Sequence, residues 1–465
     1  MNLAAPIAHA NARQIKICSP FDNRLIGTLP EAGADAVNAA VLRARNAARA
    51  FRSSTPAQRR ALLDSLAALI ARDAEQLART ISDEMGKTIT EARNEVRRAQ
   101  NTLRLSGDAA TFLDGEVMHC AIVAGGADRQ AVVTLKPVGV VAAITPFNYP
   151  LNLLCHKLGP AIGAGNALVA KPSPKAPLAA DHLVRLTIEA GFPRDLVQVV
   201  HGGAETALAL ARAPIDLLSF TGGPQAGLAL KNAAGLVRCL MELGGNDPLI
   251  VMPDADLDAA AETAVAQRFE IAGQSCAAVK KLLVHEAVRR PFTERLLART
   301  RSLPFGDPSC DDIAMGPVID MAAATEVMAR ISDAVSGGAQ CLAGGTHDGA
   351  LVAPTVLADM AADCRLLALE TFGPVLALRG FTDIAACIDE VNASPYGLQA
   401  GVFTNDHAVI RRLSRDLQVG GLMVNEGPDF RAEHVPFGGV RTSGLGREGV
   451  RIAMREMSET HVVID

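Results

Sequence analysis

The sequence predicts an α/β protein with a parallel, doubly wound sheet and a second α/β unit. Short apolar segments rich in β-branched residues alternate with alanine- and leucine-rich segments whose apolar residues recur three and four positions apart, as in a parallel sheet covered by helices. At 465 residues the chain is too long for one small core, so two or three domains are expected. Its 40 glycines, 25 prolines and lack of tryptophan agree with a protein rich in helices and turns.

Composition excludes several classes of protein. The formal net charge is −5 and the sequence has no block of lysine or arginine, so a nucleic-acid partner is not expected. The nine cysteines are scattered without a C-x-x-C pair, which indicates reduced thiols in a cytoplasmic protein and neither a disulfide framework nor a metal site. Polar residues interrupt residues 1–20, and no apolar run is long enough to cross a bilayer, so we predict neither a signal peptide nor a membrane span.

The first third of the chain predicts two hairpins separated by long helices. Residues 14–32 contain two strand-like segments around turn-forming residues. Asp35 is the predicted N-cap of the first of several helices that extend to Leu105, cover a sheet and turn their charged faces to solvent. Residues 115–140 predict two strands around a glycine turn at 125–128, a hairpin that either packs on its own domain or projects from it.

Polar turns follow three predicted strands, at residues 138–144, 168–170 and 215–220. The first strand ends in a turn that places Asn148 between two prolines. The third enters Thr221-Gly222-Gly223 and then a helix, whose N–H groups can face a pyrophosphate. Each of these features alone is equally consistent with an ordinary turn, since Asn and Gly are common there.

Cys276 has the strongest chemical setting of the nine cysteines. It closes a Gly-Gln-Ser-Cys tetrad, and we expect it to open a helix through residues 277–279, where the positive end of the helix dipole favours a thiolate. Glu242 lies 34 residues earlier beside glycines and is a candidate general base, so a nucleophile and a base for covalent acyl chemistry are both present. A buried structural cysteine is the alternative.

Together, the Glu-Leu-Gly-Gly motif at Glu242 and the Gly-Gln-x-Cys motif at Cys276 resemble the signature pair of the aldehyde dehydrogenase superfamily, in its non-acylating branch. Further family motifs follow in order over nearly the whole chain. The resemblance implies a Rossmann-type cofactor domain, an α/β catalytic domain and a β-hairpin oligomerisation arm in a homodimer or homotetramer. The implied boundaries are 1–117 and 138–242 with 443–456 for the cofactor domain, 243–442 for the catalytic domain, and 118–137 with 457–465 for the arm.

The same resemblance implies the reaction. Cys276 attacks the carbonyl carbon of a small aldehyde, while Asn148 and the Cys276 backbone N–H hold the oxyanion. Hydride passes to NAD or NADP, and Glu242 activates the water that hydrolyses the thioester. Glu448 matches a glutamate that relays protons near the active site. The strand-like C-terminus, residues 461–465, could add to a neighbouring subunit's sheet.

Cofactor binding is implied for residues at strand ends and in a later E-x-F-G-P motif. They are Thr145, Phe147, Lys171, Ser173, Lys175, Thr221, Gly222, Gly223, Glu370 and Phe372. Pro174 stands where the family has a glutamate that holds the adenosine ribose hydroxyls. Its loss removes a partner for the 2′-hydroxyl and a source of repulsion toward a 2′-phosphate, so we expect NADP or dual use. Lys175 as an ordinary surface lysine is the alternative.

For the substrate, the resemblance favours a small hydroxylated or anionic aldehyde. His156, Arg431 and Arg104 are the candidate binding residues, since an arginine donates two parallel hydrogen bonds to an anion. Ser275 precedes the nucleophile where several anion-specific members carry arginine. Alternatively, Arg431 pairs with Glu433 or another acid.

Two other functions remain open from the sequence. A cofactor-free cysteine hydrolase or acyltransferase would need a histidine beside Cys276, and none is near it in sequence. A non-catalytic binding or structural subunit would not need Cys276, Glu242 and Asn148 together.

Overall fold

The computed structural model describes residues 13–361 and 363–465. Residues 1–12 lie outside the described residues. They include the start of the predicted cofactor domain and the start of residues 1–20, for which the sequence predicts no signal peptide. Within those ranges no helix is both long and apolar enough to cross a membrane.

Twenty strands occur in the described residues. In chain order they are β1 (Gln14–Cys18), β2 (Leu25–Pro30), β3 (Glu116–His119), β4 (Gln130–Pro137), β5 (Val140–Ile144), β6 (Ala167–Lys171), β7 (Val197–Val199), β8 (Leu217–Thr221), β9 (Arg238–Glu242), β10 (Pro248–Val251), β11 (Lys281–His285), β12 (Gln340–Ala343), β13 (His347–Asp348), β14 (Leu351–Val352), β15 (Thr355–Ala358), β16 (Val375–Phe381), β17 (Gln399–Phe403), β18 (Gly421–Val424), β19 (Gly444–Leu445) and β20 (Ser458–Ile464).

Fifteen α-helices occur in the same ranges. They are α1 (Ala34–Phe51), α2 (Pro56–Arg72), α3 (Ala74–Met85), α4 (Ile89–Ala110), α5 (Asn152–Gly163), α6 (Leu178–Glu189), α7 (Ala204–Arg212), α8 (Pro224–Ala234), α9 (Leu257–Phe269), α10 (Glu286–Ser302), α11 (Met321–Ser336), α12 (Arg365–Ala368), α13 (Ile384–Asn392), α14 (His407–Asp416) and α15 (Val450–Glu456).

Six strands form the first large sheet, in the order β19-β9-β8-β5-β6-β7. All pairs are parallel except β19 with β9. From β5 the chain runs outward through β6 and β7 and then crosses to β8 and β9 on the other side, which is the doubly wound, Rossmann-type arrangement. Strands β5, β6 and β8 are buried along their whole length, as expected for a sheet covered on both faces.

Seven strands form the second large sheet, in the order β12-β15-β16-β11-β10-β17-β18. Only β12 is antiparallel to its neighbour. Two hydrophobic clusters cover this sheet, one of them containing Phe292 and the other Leu413. The predicted α/β fold with a second α/β unit is confirmed.

The predicted hairpins at both ends of the first third are present. Strands β1 and β2 pair antiparallel, and so do β3 and β4. The C-terminal strand β20 pairs with β4 of its own chain, from Ser458 opposite Pro137 to Ile464 opposite Ala131, and completes a three-stranded sheet. In this structure the C-terminal strand therefore extends a sheet of its own chain.

Two local predictions about the N-terminal helices are wrong. Helix α1 begins at Ala34 with Gly33 as its N-cap, so Asp35 lies in the first turn, where a carboxylate still interacts favourably with the helix dipole. The charged face of α4 is not simply solvated, because Glu95 is fully buried in an ion pair with Lys87. Helix α4 begins at a capping box formed by Thr88 and Glu91.

Candidate active site

The carboxyl ends of the parallel strands of the first sheet open into one cavity of about 570 Å³. Strands β6, β8 and β9 end at Lys171, Thr221 and Glu242, and β5 is followed directly by Thr145. All four residues line the cavity. Ligands of doubly wound sheets bind at this edge, where the strand order reverses. The cavity also reaches Cys276, so the strand ends and the thiol share one space.

A strained turn presents Cys276. Three consecutive residues before Gln274 have positive φ: Ile271 at 46°, Ala272 at 53° and Gly273 at 71°. Non-glycine residues in this region cost of order 1–3 kcal/mol each, so other contacts must hold the turn. Glu91 does so from α4 by accepting the Ile271 N–H at 2.7 Å, and the Gln274 side chain donates to the Ile271 carbonyl at 3.0 Å.

The predicted helix at residues 277–279 is absent, because the segment after Cys276 forms a turn and then enters β11. Cys276 therefore has no helix dipole to favour its thiolate. It is half-buried and packs against Ala277, Leu398 and Phe437. Burial raises the pKa of the thiol well above its usual range, and the nearby Lys280 ammonium opposes this effect. Lys280 also donates to the Cys276 carbonyl oxygen.

Asn148 and Glu242 face the same cavity as the thiol. The Asn148 Nδ2 donates to the Gln274 carbonyl at 2.9 Å, and its Oδ1 is buried without a hydrogen-bond partner. Glu242 is buried at the end of β9, and its Oε2 also has no partner. Burial raises the pKa of Glu242 well above its ordinary value, the Glu448 charge raises it further, and Arg431 opposes both effects.

Glu448 lies in a buried group of charges at the cavity wall. Its Oε1 accepts from Lys157 at 3.1 Å, and its Oε2 accepts from Arg431 at 2.8 Å. Burial by itself would raise the pKa of Glu448, but Lys157 and Arg431 hold it below its ordinary value. Lys157 also donates to Thr221 at 2.8 Å, so this ion-pair group connects β8 to the residues around Glu242.

The same cavity is lined by most of the residues predicted to bind a cofactor. They are Thr145, Phe147, Lys171, Ser173, Thr221, Gly222, Gly223, Glu370 and Phe372. The rings of Phe147 and Phe372 meet edge to face at 5.9 Å. Burial lowers the pKa of Lys171 to about 8, and within the described residues no acid forms a salt bridge with it. The Gly222-Gly223 turn leads directly into α8.

Lys175 differs from this group. It does not line the cavity. Its side chain is 45% exposed, and its Nζ pairs with Asp320 at 2.6 Å. The Nζ also lies 5.8 Å from the centre of the Phe147 ring, which does line the cavity, so Lys175 stands at the margin of the cavity. Its neighbour Pro174 does line the cavity. Pro174 stands where the family motif has a glutamate, so this position offers no carboxylate.

The three candidate substrate residues are placed differently from one another. Arg104 is exposed on α4 and is not part of the cavity lining, so the prediction that it binds substrate is not supported. His156 is buried behind the wall, with Nε2 3.1 Å from Glu433 and Nδ1 3.3 Å from Arg431. Burial and the Arg431 charge lower its pKa, so a neutral imidazole that positions other side chains fits better than direct anion binding.

Arg431 lines the cavity but is already paired. Besides its bond to Glu448, its Nε lies 4.0 Å from Glu433, and its guanidinium lies over the Phe437 ring at 4.3 Å. Arg431 therefore forms an internal ion pair, which was the alternative to binding an anionic substrate. Arg98, the other arginine in the lining, pairs with Glu433 at 2.7 Å.

The model of the aldehyde dehydrogenase family matches residues 7–463. The chain belongs to this family. It is 39% identical over 449 residues to the sulfoacetaldehyde dehydrogenase of Neptuniibacter caesariensis, with 96% of this chain and 98% of that protein covered. It is 40% identical over 450 residues to aspartate-semialdehyde dehydrogenase 1 of Pseudomonas canavaninivorans, with 97% and 96% covered. The structure of NADP-dependent glyceraldehyde-3-phosphate dehydrogenase from Bacillus halodurans C-125, complexed with NADP, superposes with a TM-score of 0.95 at 34% identity, covering 97% and 95%.

Several residues of this aldehyde dehydrogenase site were not singled out from the sequence. Lys157 had a detectable signal, since a lysine within the largely apolar α5 is expected only where it is paired. Glu91 and the pairing of Asp429 with Ser275 had none, because their partners are distant in sequence. No cluster able to hold a metal ion is found among the described residues.

Proposed function

We propose that this aldehyde dehydrogenase family member oxidises a small polar aldehyde to the carboxylic acid with NADP or NAD. The observation that supports this best is the convergence of Cys276, Asn148 and Glu242 on one cavity at the carboxyl edge of a Rossmann-type sheet. A nucleophile, an amide donor and a buried carboxylate are the groups that acyl chemistry through a thioester requires.

Each step uses a residue in this cavity. The Cys276 thiolate forms a bond to the carbonyl carbon, and the Asn148 amide holds the resulting oxyanion. A nicotinamide held by the cofactor residues of the cavity would supply the hydride acceptor for that carbon, and loss of hydride would leave a thioester on Cys276. Glu242 takes a proton from water as the water attacks the thioester, and the carboxylic acid departs with release of the thiol. A carboxylate whose pKa burial raises above its ordinary value is a stronger base, which suits this role.

Several groups in the cavity lining suit a dinucleotide. The Lys171 ammonium is buried without a salt bridge, the α8 N-terminus follows two glycines, and aromatic rings lie beside Glu370. Pro174 offers no carboxylate to repel a 2′-phosphate. Together with the NADP-bound relative from Bacillus halodurans, these features favour NADP or dual use.

The substrate class is proposed from the relatives. The relatives named above are a sulfoacetaldehyde dehydrogenase and an aspartate-semialdehyde dehydrogenase, so a short aldehyde with a polar or charged group is proposed here as well. We retain a hydroxylated or anionic aldehyde as the first group to test. The internal pairing of Arg431 with Glu448 weakens the argument for a purely anionic one.

The sheets suggest how these tasks are divided. We propose that residues 1–117 and 138–242, with 443–456, bind the cofactor and that 243–442 carry the nucleophile. Residues 118–137 and 457–465 would then join subunits in a homodimer or homotetramer, since the arm sheet exposes apolar side chains such as Val117, Met118 and Val463. Light scattering tests this assignment, and a monomer contradicts it.

The reaction is tested by absorbance of the reduced nicotinamide with NAD and NADP in parallel. The substrates are glycolaldehyde, lactaldehyde, succinate semialdehyde, glyceraldehyde 3-phosphate and phosphonoacetaldehyde. Turnover by the wild type that is lost in the Cys276→Ala variant supports the proposal. Cys341→Ala is the matched control, because Cys341 is exposed and lies outside the cavity lining. Thioester hydrolysis without cofactor would favour the hydrolase, although no histidine lines the cavity in the described structure. Inactivity with retained cofactor binding would favour a non-catalytic subunit.

A further inference from the structure

The loop of residues 369–374, between α12 and β16, brings Glu370 and Phe372 into the cavity lining. The Glu370 carboxylate pairs with Lys280 at 3.3 Å, and the same ammonium donates to the Cys276 carbonyl oxygen. One lysine thus connects this loop to the nucleophile. Because hydride has to leave the carbon bonded to the Cys276 sulfur, we expect the 369–374 loop to hold the nicotinamide half of the cofactor.

Arg268, near the end of α9, binds the backbone of the 369–374 loop. Its Nη2 donates to the carbonyl oxygens of Thr371, at 3.1 Å, and of Gly373. Helix α9 leads directly into the strained turn that presents Cys276. A Cβ atom at Gly273 in that turn would overlap the Gly373 carbonyl oxygen, so the turn and the loop are in direct contact. Arg268 therefore joins the nucleophile segment to the loop.

Arg330, in α11, binds the same loop nearer its start. Its Nη1 donates to the Glu370 carbonyl oxygen and, at 3.1 Å, to the Thr371 hydroxyl. Its Nε pairs with Glu326 of its own helix at 2.8 Å, which fixes the guanidinium on α11. Phe372 thus lies between backbone positions that the two arginines hold from two different helices.

The burial of Arg268 costs free energy. Its side chain is fully buried, and its Nε and Nη1 have no hydrogen-bond partner among the described residues. Burial lowers the pKa of Arg268 to about 9, and the Glu370 and Asp429 charges oppose this effect, so the guanidinium is charged at pH 7.5. A buried charge with unpartnered donors destabilises a protein. A contribution to stability alone therefore does not account for Arg268, whereas control of the loop position does.

We propose that Arg268 and Arg330 are positioning residues that fix the backbone of the 369–374 loop, so that Glu370 and Phe372 keep the nicotinamide within hydride-transfer distance of the carbon on Cys276. This inference rests on the proposed aldehyde oxidation and adds residues that serve the reaction without lining the cavity.

The test measures the hydride step in a Glu242→Gln background, where slow thioester hydrolysis isolates a single turnover. Arg268→Met, Arg268→Lys and Arg330→Met are compared with the control Arg301→Met, whose guanidinium donates to the Leu342 carbonyl at 3.1 Å outside the cavity lining. The substrate is the aldehyde of the panel above that the wild type oxidises fastest, with NAD and NADP in parallel.

Both methionine variants at 268 and 330 should lower the single-turnover rate about tenfold to a hundredfold, because a displacement of about 1 Å can cost that much. The cofactor concentration that gives half the maximal rate should rise as well. Arg268→Lys keeps a donor and should restore part of the rate, and Arg301→Met should leave both quantities unchanged.

A purely structural role would lower the burst amplitude, which counts folded active sites, and the midpoint of unfolding in guanidinium chloride, but not the rate per site. An unchanged rate and cofactor dependence in Arg268→Met and Arg330→Met would therefore overturn the positioning role. Should Arg268→Met fail to fold, Arg330→Met decides by the same criterion.

If the wild type oxidises no aldehyde of the panel with either cofactor, the proposed function fails. The positioning role is then decided separately by the fluorescence of added NADPH. Weaker binding to Arg268→Lys and Arg330→Met than to Arg301→Met supports it, and equal binding, or none, overturns it.

Discussion

Glu95→Ala should strongly destabilise the protein because one carboxylate satisfies three buried donors. The Glu95 Oε2 accepts from the Lys87 Nζ at 2.6 Å, and both side chains are fully buried. Its Oε1 accepts the backbone N–H groups of Leu151 and Asn152 at 2.9 and 3.1 Å. Helix α5 begins at Asn152 without a side-chain cap of its own, and all its residues are buried, so Glu95 acts as the cap.

The size of the effect follows from these contacts. Removing one partner of a buried ion pair costs about 3–5 kcal/mol, since the remaining charge is left unmatched. Each buried N–H that loses its acceptor adds about 1–3 kcal/mol, although contributions from groups in contact are not additive. We therefore expect Glu95→Ala to lower the free energy of unfolding by about 5 kcal/mol, which is a large part of the roughly 5–15 kcal/mol of a typical protein. Glu95→Gln should cost less, because an amide oxygen can still accept from the helix.

The assay is equilibrium unfolding in guanidinium chloride, with Glu294→Ala as the matched control. Glu294 pairs with Arg290 at 3.1 Å on the surface, with side-chain exposures of 64% and 91%, so its loss should change stability by less than about 0.5 kcal/mol. A Glu95→Ala midpoint equal to that of Glu294→Ala would refute the reasoning. Because the start of α5 closely follows Asn148, the variant should also lose more activity than its residual folded fraction explains.

Three further predictions concern the reaction itself. In stopped-flow absorbance, Glu242→Gln should give a burst of one reduced nicotinamide per active site. Turnover after the burst should be about a hundredfold to a thousandfold slower than in the wild type. An unchanged steady-state rate would contradict the role of Glu242 as base. The Glu448 charge raises the pKa of Glu242. Glu448→Gln should therefore lower the Glu242 pKa and move the acidic limb of the kcat–pH profile to lower pH. Movement of that limb to higher pH would contradict the effect of Glu448 on Glu242. Pro174→Glu should lower the ratio of kcat/KM with NADP to that with NAD about tenfold, and an unaltered ratio would remove Pro174 from cofactor selection.

Much of the fold was predictable because its signals are local. The strand predicted at residues 138–144 is observed at Val140–Ile144, and its polar turn does lead to Asn148. The motifs around Glu242 and Cys276 lie at one cavity, as the resemblance implied, since parallel strands bring their carboxyl ends to the same edge. Alternating hydrophobic segments and turn residues predict these parts of the structure without knowledge of contacts between distant segments.

The wrong and missing predictions depend on contacts between distant segments. The expected helix after Cys276 does not form, and the backbone there follows a turn that Glu91 holds from 180 residues away. Arg431 resembles an anion-binding residue in sequence, but whether it is free depends on Glu448 and Glu433, whose placement no local pattern records.

Helix α4 connects three of these distant contacts. Glu91, Glu95 and Arg98 recur at intervals of four and three residues, so they lie on one face of the helix. Glu91 accepts from the strained turn before the nucleophile, Glu95 accepts from the start of α5 after the Asn148 turn, and Arg98 pairs with Glu433 behind the substrate compartment. A surface helix would place such a charged stripe in water. Here the stripe sets the relative positions of the nucleophile, the amide donor and the substrate wall. Substitutions of Glu91 and Glu95, which do not line the cavity, should therefore alter catalysis without touching a ligand.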